Sequence, residues 1–335
     1  MHRIVTEILN RRFPKGNTVA RIRKFNSKLV VPAALAITII SAETSTQAQA
    51  GFISATPTAT AYTVLYEGTG GHNLQIANVT INGNIGVGGS GVVMDNGPST
   101  IGGRVDFSAA NTSQFNNNNV MNVGPTSVNF NVSAVTTALS EVNSLSTSLG
   151  VEAGTNISIN GNMTINASAG TLDGNGNRVF NVTSYSENDG NVVTIDGDAA
   201  GDSVVLNFAS SLGNVNLKGD VTLSGLSDDQ VLWNFPSSGK NINLNTNDSS
   251  FPSLAFMGDI LAPNDVLSMN AANLDGRFWG GDSSDMQIVS HDVINGPTPV
   301  TPTPEPGSLA GSSPSALSFG GGNAALKSAH ELCRG

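Results

Sequence analysis

From about Tyr62 to Asn295 the chain repeats one texture: a short run alternating apolar and polar residues, then Gly, Asn or Asp, then another run. Asn156-Ile157-Ser158-Ile159-Asn160-Gly161, Asn162-Met163-Thr164-Ile165-Asn166, Val192-Val193-Thr194-Ile195-Asp196-Gly197, Val215-Asn216-Leu217-Lys218-Gly219 and Val221-Thr222-Leu223-Ser224-Gly225 are examples. Side chains of a strand alternate between its faces, so Ile157, Ile159, Met163, Ile165, Leu217 and Leu223 share one face and Thr, Ser and Asn take the other. Gly and Asn at the ends of the runs supply the backbone freedom that tight corners need. Strands this short and close fit either a β-solenoid or a β-sandwich. The 39 asparagines favour the solenoid, where like residues stack in ladders along successive rungs. No strict period is visible.

One segment departs from this pattern. Ser133 to Leu149 places Val135, Ala138, Leu139, Val142, Leu145 and Leu149 at helical spacing, with Gly150 as its stop. A helix with one apolar stripe must lie along something, and the side of the solenoid is its expected partner; in a sandwich it would be a crossover between sheets.

The ends differ from the middle. Residues 1–50 carry eight basic residues against two acidic ones, then the apolar run Leu29 to Ala42, then Ala48-Gln49-Ala50. This is the layout of a signal peptide with a long basic leader, cut before Gly51, the alternatives being a transit peptide or an uncleaved anchor. Pro297, Pro299, Pro302, Pro304 and Pro306 mark an extended linker over 297–310, and the Ser/Gly-rich stretch 311–335 is expected to be disordered. The folded domain is thus expected over 51–296.

Charge narrows the partners. Residues 51–335 hold 7 basic and 23 acidic side chains, net −16, which disfavours nucleic acid and anionic lipid. The sole cysteine, Cys333, leaves an exported domain without disulfides.

Several blocks, in order, resemble one family. Asn84-Ile85-Gly86-Val87-Gly88-Gly89, Asp202-Ser203-Val204-Val205-Leu206-Asn207, Val231-Leu232-Trp233-Asn234-Phe235 and Gly258-Asp259-Ile260-Leu261-Ala262-Pro263-Asn264 are similar to the blocks of the choice-of-anchor A domain, an ice-binding-like adhesive domain of bacteria. The resemblance implies an all-β, right-handed parallel β-helix with one long α-helix packed alongside. It also implies a role at the cell surface or in extracellular matrix, with a polysaccharide or other surface ligand as partner. Pro304-Glu305-Pro306 resembles the opening of a PEP-CTERM sorting signal, which implies a Gram-negative source. The hydrophobic helix that normally follows is missing from 307–335, so membrane anchoring is not expected.

Catalytic chemistry is sparse. His72, His291 and His330 are too scattered for a zinc site, and no nucleophile with a base, or paired acid, stands out. Asp196, Asp198 and Asp202 could offer calcium its oxygen ligands, a solvated turn being the alternative; no other cofactor is expected. Trp233 lies inside an apolar run and reads as core, whereas Trp279, followed by Gly280 and Gly281, reads as an exposed platform for a sugar. Thr80, Thr164, Thr194 and Thr222 would present hydroxyls to a ligand, although no Thr-x-Thr row is apparent. The expectation is an exported, non-catalytic, adhesin-like binding module. An ice-binding protein and a polysaccharide-processing β-helix enzyme are the alternatives.

Overall fold

The computed structural model describes residues 51–110, 115–117, 124–197, 202–245, 255–281 and 284–296. The leader, its cleavage site at Ala48 and Ala50, the motif Pro304-Glu305-Pro306 and Asp198 lie outside them.

The strands form a parallel β-helix of three walls. In spatial order the first wall runs Thr155–Asn160, Asn177–Ser186, Ser203–Phe208, Val231–Asn234, Asp259–Ala262, Phe278–Gly280, Val64–Tyr66, Ile85–Val87, Val105–Phe107, Val128–Asn129. The second runs Val215–Leu217, Asn241–Asn245, Val266–Asn270, Met286–Val289, Asn73–Ala77, Val92–Asp95, Phe115–Asn117. The third wall is two adjoining sheets. One holds Met163–Asn166, Val192–Asp196 and Asp220–Ser224; the other holds Ala255–Met257, Asn273–Asp275, Val293–Asn295, Thr80–Asn82 and Thr100–Ile101. Among the described residues every pairing is parallel apart from that of the short Thr171–Leu172 hairpin arm.

The order of rungs is not the order of the chain. Val64–Tyr66 begins in mid-stack, paired on one side with Ile85–Val87 and on the other with Phe278–Gly280. The chain winds outward from there, returns along the side through the helix Ser133–Gly150, restarts at Thr155 and winds back until Val293–Asn295 pairs with Thr80–Asn82.

From Ser203–Phe208 through Val105–Phe107 the first wall is buried on both sides, which explains why these sequences are continuous rather than alternating. Val204, Leu206, Val231, Trp233, Ile260 and Phe278 fill the interior of the coil. Val205, Leu232, Leu261 and Trp279 point outward and pack against Val135, Ala138, Val142, Leu145 and Leu149 of the helix. Each such aliphatic side chain taken out of water contributes about 1.5–3 kcal/mol, so the apolar stripe is enough to hold the helix down. Polar contacts set its register. Asn207 and Asn234 are stacked partners on adjacent rungs and both are buried. The Asn234 amide donates to Asn207 Oδ1 (2.8 Å) and to the Ser146 carbonyl (3.1 Å), Ser146 Oγ donates to Asn234 Oδ1 (2.7 Å), and Asn207 donates to the Leu149 carbonyl (2.6 Å). The helix ends at Gly150, where a Cβ would lie 2.5 Å from Pro236.

The start of the described chain belongs to the same layer. Phe52 and Ile53 are buried under the helix, and Glu141 Oε2 accepts from the backbone N–H groups of Thr58 and Ala59 at 2.9 Å.

Both tryptophans are core residues, which corrects the expectation for Trp279. It is 0% exposed, its indole N–H donates to the Tyr62 carbonyl (2.9 Å), and the Arg277 guanidinium lies 5.5 Å from its ring centroid. The glycine after it serves a close approach rather than a surface turn: Gly280 has φ 153° and a Cβ there would sit 2.2 Å from the Ala262 carbonyl oxygen. Trp233 is also 0% exposed, inside the coil, with its N–H on the Met257 carbonyl at 3.2 Å.

The corners of the coil bury carboxylates. Asp292 Oδ1 accepts from the Ala272 N–H and Oδ2 from the Val289 N–H, both at 2.8 Å, and Asp265 accepts from the Lys240 N–H at 2.8 Å and from Ser237 Oγ at 3.2 Å. Burial outweighs these donors and pushes the Asp292 carboxyl up to about 7; it also raises Asp95, Asp265 and Glu187. An acid whose pKa is raised by folding holds its proton more tightly in the native state. Its stabilisation is complete below the unfolded value and is lost as pH rises through the folded one. The protein is accordingly expected to be more stable near pH 5 than near pH 8, with Asp292 alone contributing about 2–4 kcal/mol. Urea unfolding across this range checks it. Stability that rises with pH, or a slope unchanged in Asp292→Asn, would contradict it.

Candidate functional site

With the middle of the first wall covered by the helix, the second and third walls are the broad solvated faces. In both, apolar residues point in and the alternate residues point out. On the second wall the outward positions of the six strands from Val215–Leu217 to Val92–Asp95 are Asn216; Asn241, Asn243 and Asn245; Val266, Ser268 and Asn270; Gln287 and Val289; Asn73, Gln75 and Ala77; and Val92 and Met94. None of them is charged, on a chain with net −16 beyond residue 50.

Strand register stacks the middle outward residues into one column, Asn216, Asn243, Ser268, Gln287, Gln75 and Met94. Neighbouring strands are ~4.8 Å apart, so the column repeats at that spacing. Its members hold one another. Asn243 Nδ2 donates to Asn216 Oδ1 (3.0 Å), Ser268 Oγ donates to Asn243 Oδ1, Gln287 Nε2 reaches Gln75 Oε1 (3.4 Å), and Gln75 Nε2 donates to Asp285 Oδ2 (2.9 Å). Interlocked amides are fixed before any ligand arrives, which lowers the entropy cost of binding.

The threonines fall on the third wall. Thr164, Thr194 and Thr222 occupy one register position on three consecutive strands, and the Thr194 and Thr222 hydroxyls are 3.1 Å apart. Thr80 lies on the second sheet of that wall beside Thr100, its neighbour on the other side being Val293. Thr164, Thr194 and Thr222 thus form a column, hidden because its members lie about one coil apart in sequence, although no strand of it carries Thr-x-Thr. A second ladder runs parallel to it: Asn82 donates to Asn295 Oδ1 (2.7 Å) and Asn295 to Asp275 Oδ1 (2.8 Å). Unlike the second wall, this face carries Asp196, Asp220 and Asp275.

Of the three carboxylates considered for calcium, Asp196 ends the strand Val192–Asp196 and stacks on Ser224, whereas Asp202 is mostly buried with Arg178 Nε 3.7 Å from its Oδ1. Among the described residues, no three His, Cys, Asp or Glu side chains stand close enough together to hold a metal ion. Likewise, none of their helices is long and apolar enough to cross a membrane.

Sequence reading missed the second-wall column. Its signal is an apolar-polar-apolar triplet in each run, Val215-Asn216-Leu217, Ile242-Asn243-Leu244, Leu267-Ser268-Met269, Met286-Gln287-Ile288 and Leu74-Gln75-Ile76, once the runs are aligned.

The model of a domain family described as ice-binding-like adhesive matches residues 41–285. Among solved structures the chain is similar to an ice-binding protein of the Antarctic ascomycete Antarctomyces psychrotrophicus, with 14% identity, TM-score 0.43, and 71% of this chain and 95% of that one covered. It is similar also to the ice-binding protein LeIBP of an Arctic yeast, with 12% identity, TM-score 0.47, and 72% and 94% covered. The third is the DUF3494 domain of ice-binding protein 1 of Shewanella frigidimarina, with 14% identity, TM-score 0.41, and 72% and 96% covered. A search of curated proteins returned no match by sequence.

Proposed function

The chain belongs to the ice-binding-like adhesive domain family, and from that premise we propose that it is a non-catalytic module, exported from the cell, that adheres through its second wall to an extended uncharged surface. The observation that carries this reading is the absence of charge from every outward position of the six strands from Val215–Leu217 to Val92–Asp95, on an otherwise acidic molecule. A neutral polysaccharide is the ligand class it suits. Amides and hydroxyls fixed at one strand spacing can meet a chain of sugar hydroxyls in register. Each such hydrogen bond gains only about 0.5–1.5 kcal/mol over water, so a row of them is needed. A second reading, ice, is supported by the in-register columns on both open walls, since a crystalline ligand rewards regular two-dimensional spacing. Export rests on the leader 1–50 with cleavage after Ala50.

Lysine placed on the wall should break the match. Asn243→Lys with Gln287→Lys is expected to weaken retention on neutral glycan arrays at least tenfold, while Thr194→Lys leaves it unchanged. Ice recrystallisation assays on the same proteins separate the two ligands. Unchanged binding by the second-wall variant would overturn the assignment, and loss with Thr194→Lys would move the site to the third wall.

A further inference from the structure

We infer that the end of the coil at Thr155–Asn166 is a dimerisation edge, on which a second copy of this chain adds by antiparallel strand pairing about a two-fold axis through Ser158. Among the described residues Thr155–Asn160 and Met163–Asn166 are the terminal strands of their sheets and pair on one side only, with Asn177–Ser186 and Val192–Asp196. Their outer edges therefore present unpaired N–H and C=O groups, which are a template for another strand.

The end of the core is covered at Ile159 and Ile165, which are 0% and 3% exposed, and less so beside them. Ile157 and Met163 continue the interior stacks of Val182 and Val193, which are 0% and 1% exposed, yet both remain only partly buried. The devices that usually protect an edge are missing: residues 155–166 contain no Pro, Lys, Arg, Asp or Glu. The one register shift against the neighbouring rung lies between Ile157 and Ser158, where Thr183 is the extra residue of the partner strand, so Thr155–Asn160 carries no inserted residue. On a molecule this acidic, two edge strands without a charged residue are where two copies can approach with the least repulsion.

The residues also name the partner. Asn156-Ile157-Ser158-Ile159-Asn160 is a palindrome. With Ser158 opposite Ser158 in an antiparallel pair, Ile157 faces Ile159 of the second copy and Asn156 faces Asn160. Inward residues then meet inward residues and polar meet polar, the self-complementarity that a two-fold interface requires. An unrelated strand would meet that pattern only by chance. The joined coils form one stack twice as long, in which the second wall of each copy runs on into the third wall of the other. This inference stands whichever wall binds ligand.

Light scattering coupled to size-exclusion chromatography of the full chain is expected to give a concentration-dependent dimer at micromolar protein. Ser158 is exposed, so Ser158→Lys folds as wild type by circular dichroism while placing two ammonium groups face to face, and it should be monomeric over the same range. Ser158→Cys with Cys333→Ser should form an intermolecular disulfide across the axis. A monomer at all concentrations, a dimer indifferent to Ser158→Lys, or assemblies that keep growing beyond two copies would each overturn the inference.

Discussion

Trp279→Ala is expected to cost the folded protein about 3–5 kcal/mol, the range for emptying a large buried aromatic site. The side chain is 0% exposed and lies among Tyr62, Leu65, Leu261 and the helix residues of the outer layer. It also sits where the two halves of the chain meet, since Leu65 pairs with Trp279 in register. Its loss therefore loosens the helix layer and that join together. Trp279→Phe keeps much of the volume but leaves the Tyr62 carbonyl without its indole donor, and should cost about 1–3 kcal/mol. Urea unfolding of the three proteins decides it. A loss below about 1 kcal/mol for the alanine variant would return Trp279 to the surface and revive the sugar platform.

Arg277→Ala should be comparably damaging at pH 8 and much less so at pH 5. Asp259 is 0% exposed; its Oδ2 accepts from Arg277 Nη1 and its Oδ1 from the Arg277 backbone N–H, both at 2.8 Å. Burial holds the Asp259 carboxyl up at about 6 although Arg277 opposes it. Removing the guanidinium leaves a buried charge uncompensated, a defect of about 3–5 kcal/mol. It also raises that carboxyl further, so lowering the pH protonates it and relieves the penalty. Stability measured for both proteins at the two pH values checks the sign. A penalty equal at both would mean that the ion pair is not what the guanidinium contributes.

The fold was more legible in the residues than the site was. Ile159, Ile165 and Leu217, placed inward by alternation, are buried, and the single helical stripe does lie along the coil. Asn207 and Asn234, to which the sequence assigned no role of their own, hold the helix. Trp279 was misread because glycines beside an aromatic residue suggest a turn in water, whereas Gly280 here admits a neighbouring backbone. The binding columns were hidden for a different reason. One coil takes 18 residues from Ile260 to Phe278 and 27 from Val204 to Val231, the difference being absorbed in corners of unequal length. Vertical neighbours therefore share no constant separation, and only the register of the strands reveals them.

The mid-stack start of the chain has a consequence for how the molecule reaches its native state. Val64–Tyr66, among the first strands to be synthesised, has one flank waiting for Phe278–Gly280, among the last. Closing a loop that spans nearly the whole domain before its contacts stabilise it makes assembly slow, and parallel pairing adds to the delay. Domains are built from the ribosome N-terminus first. A nascent chain still short of residue 278 cannot complete its sheets, so it stays unfolded longer than one built from consecutive rungs.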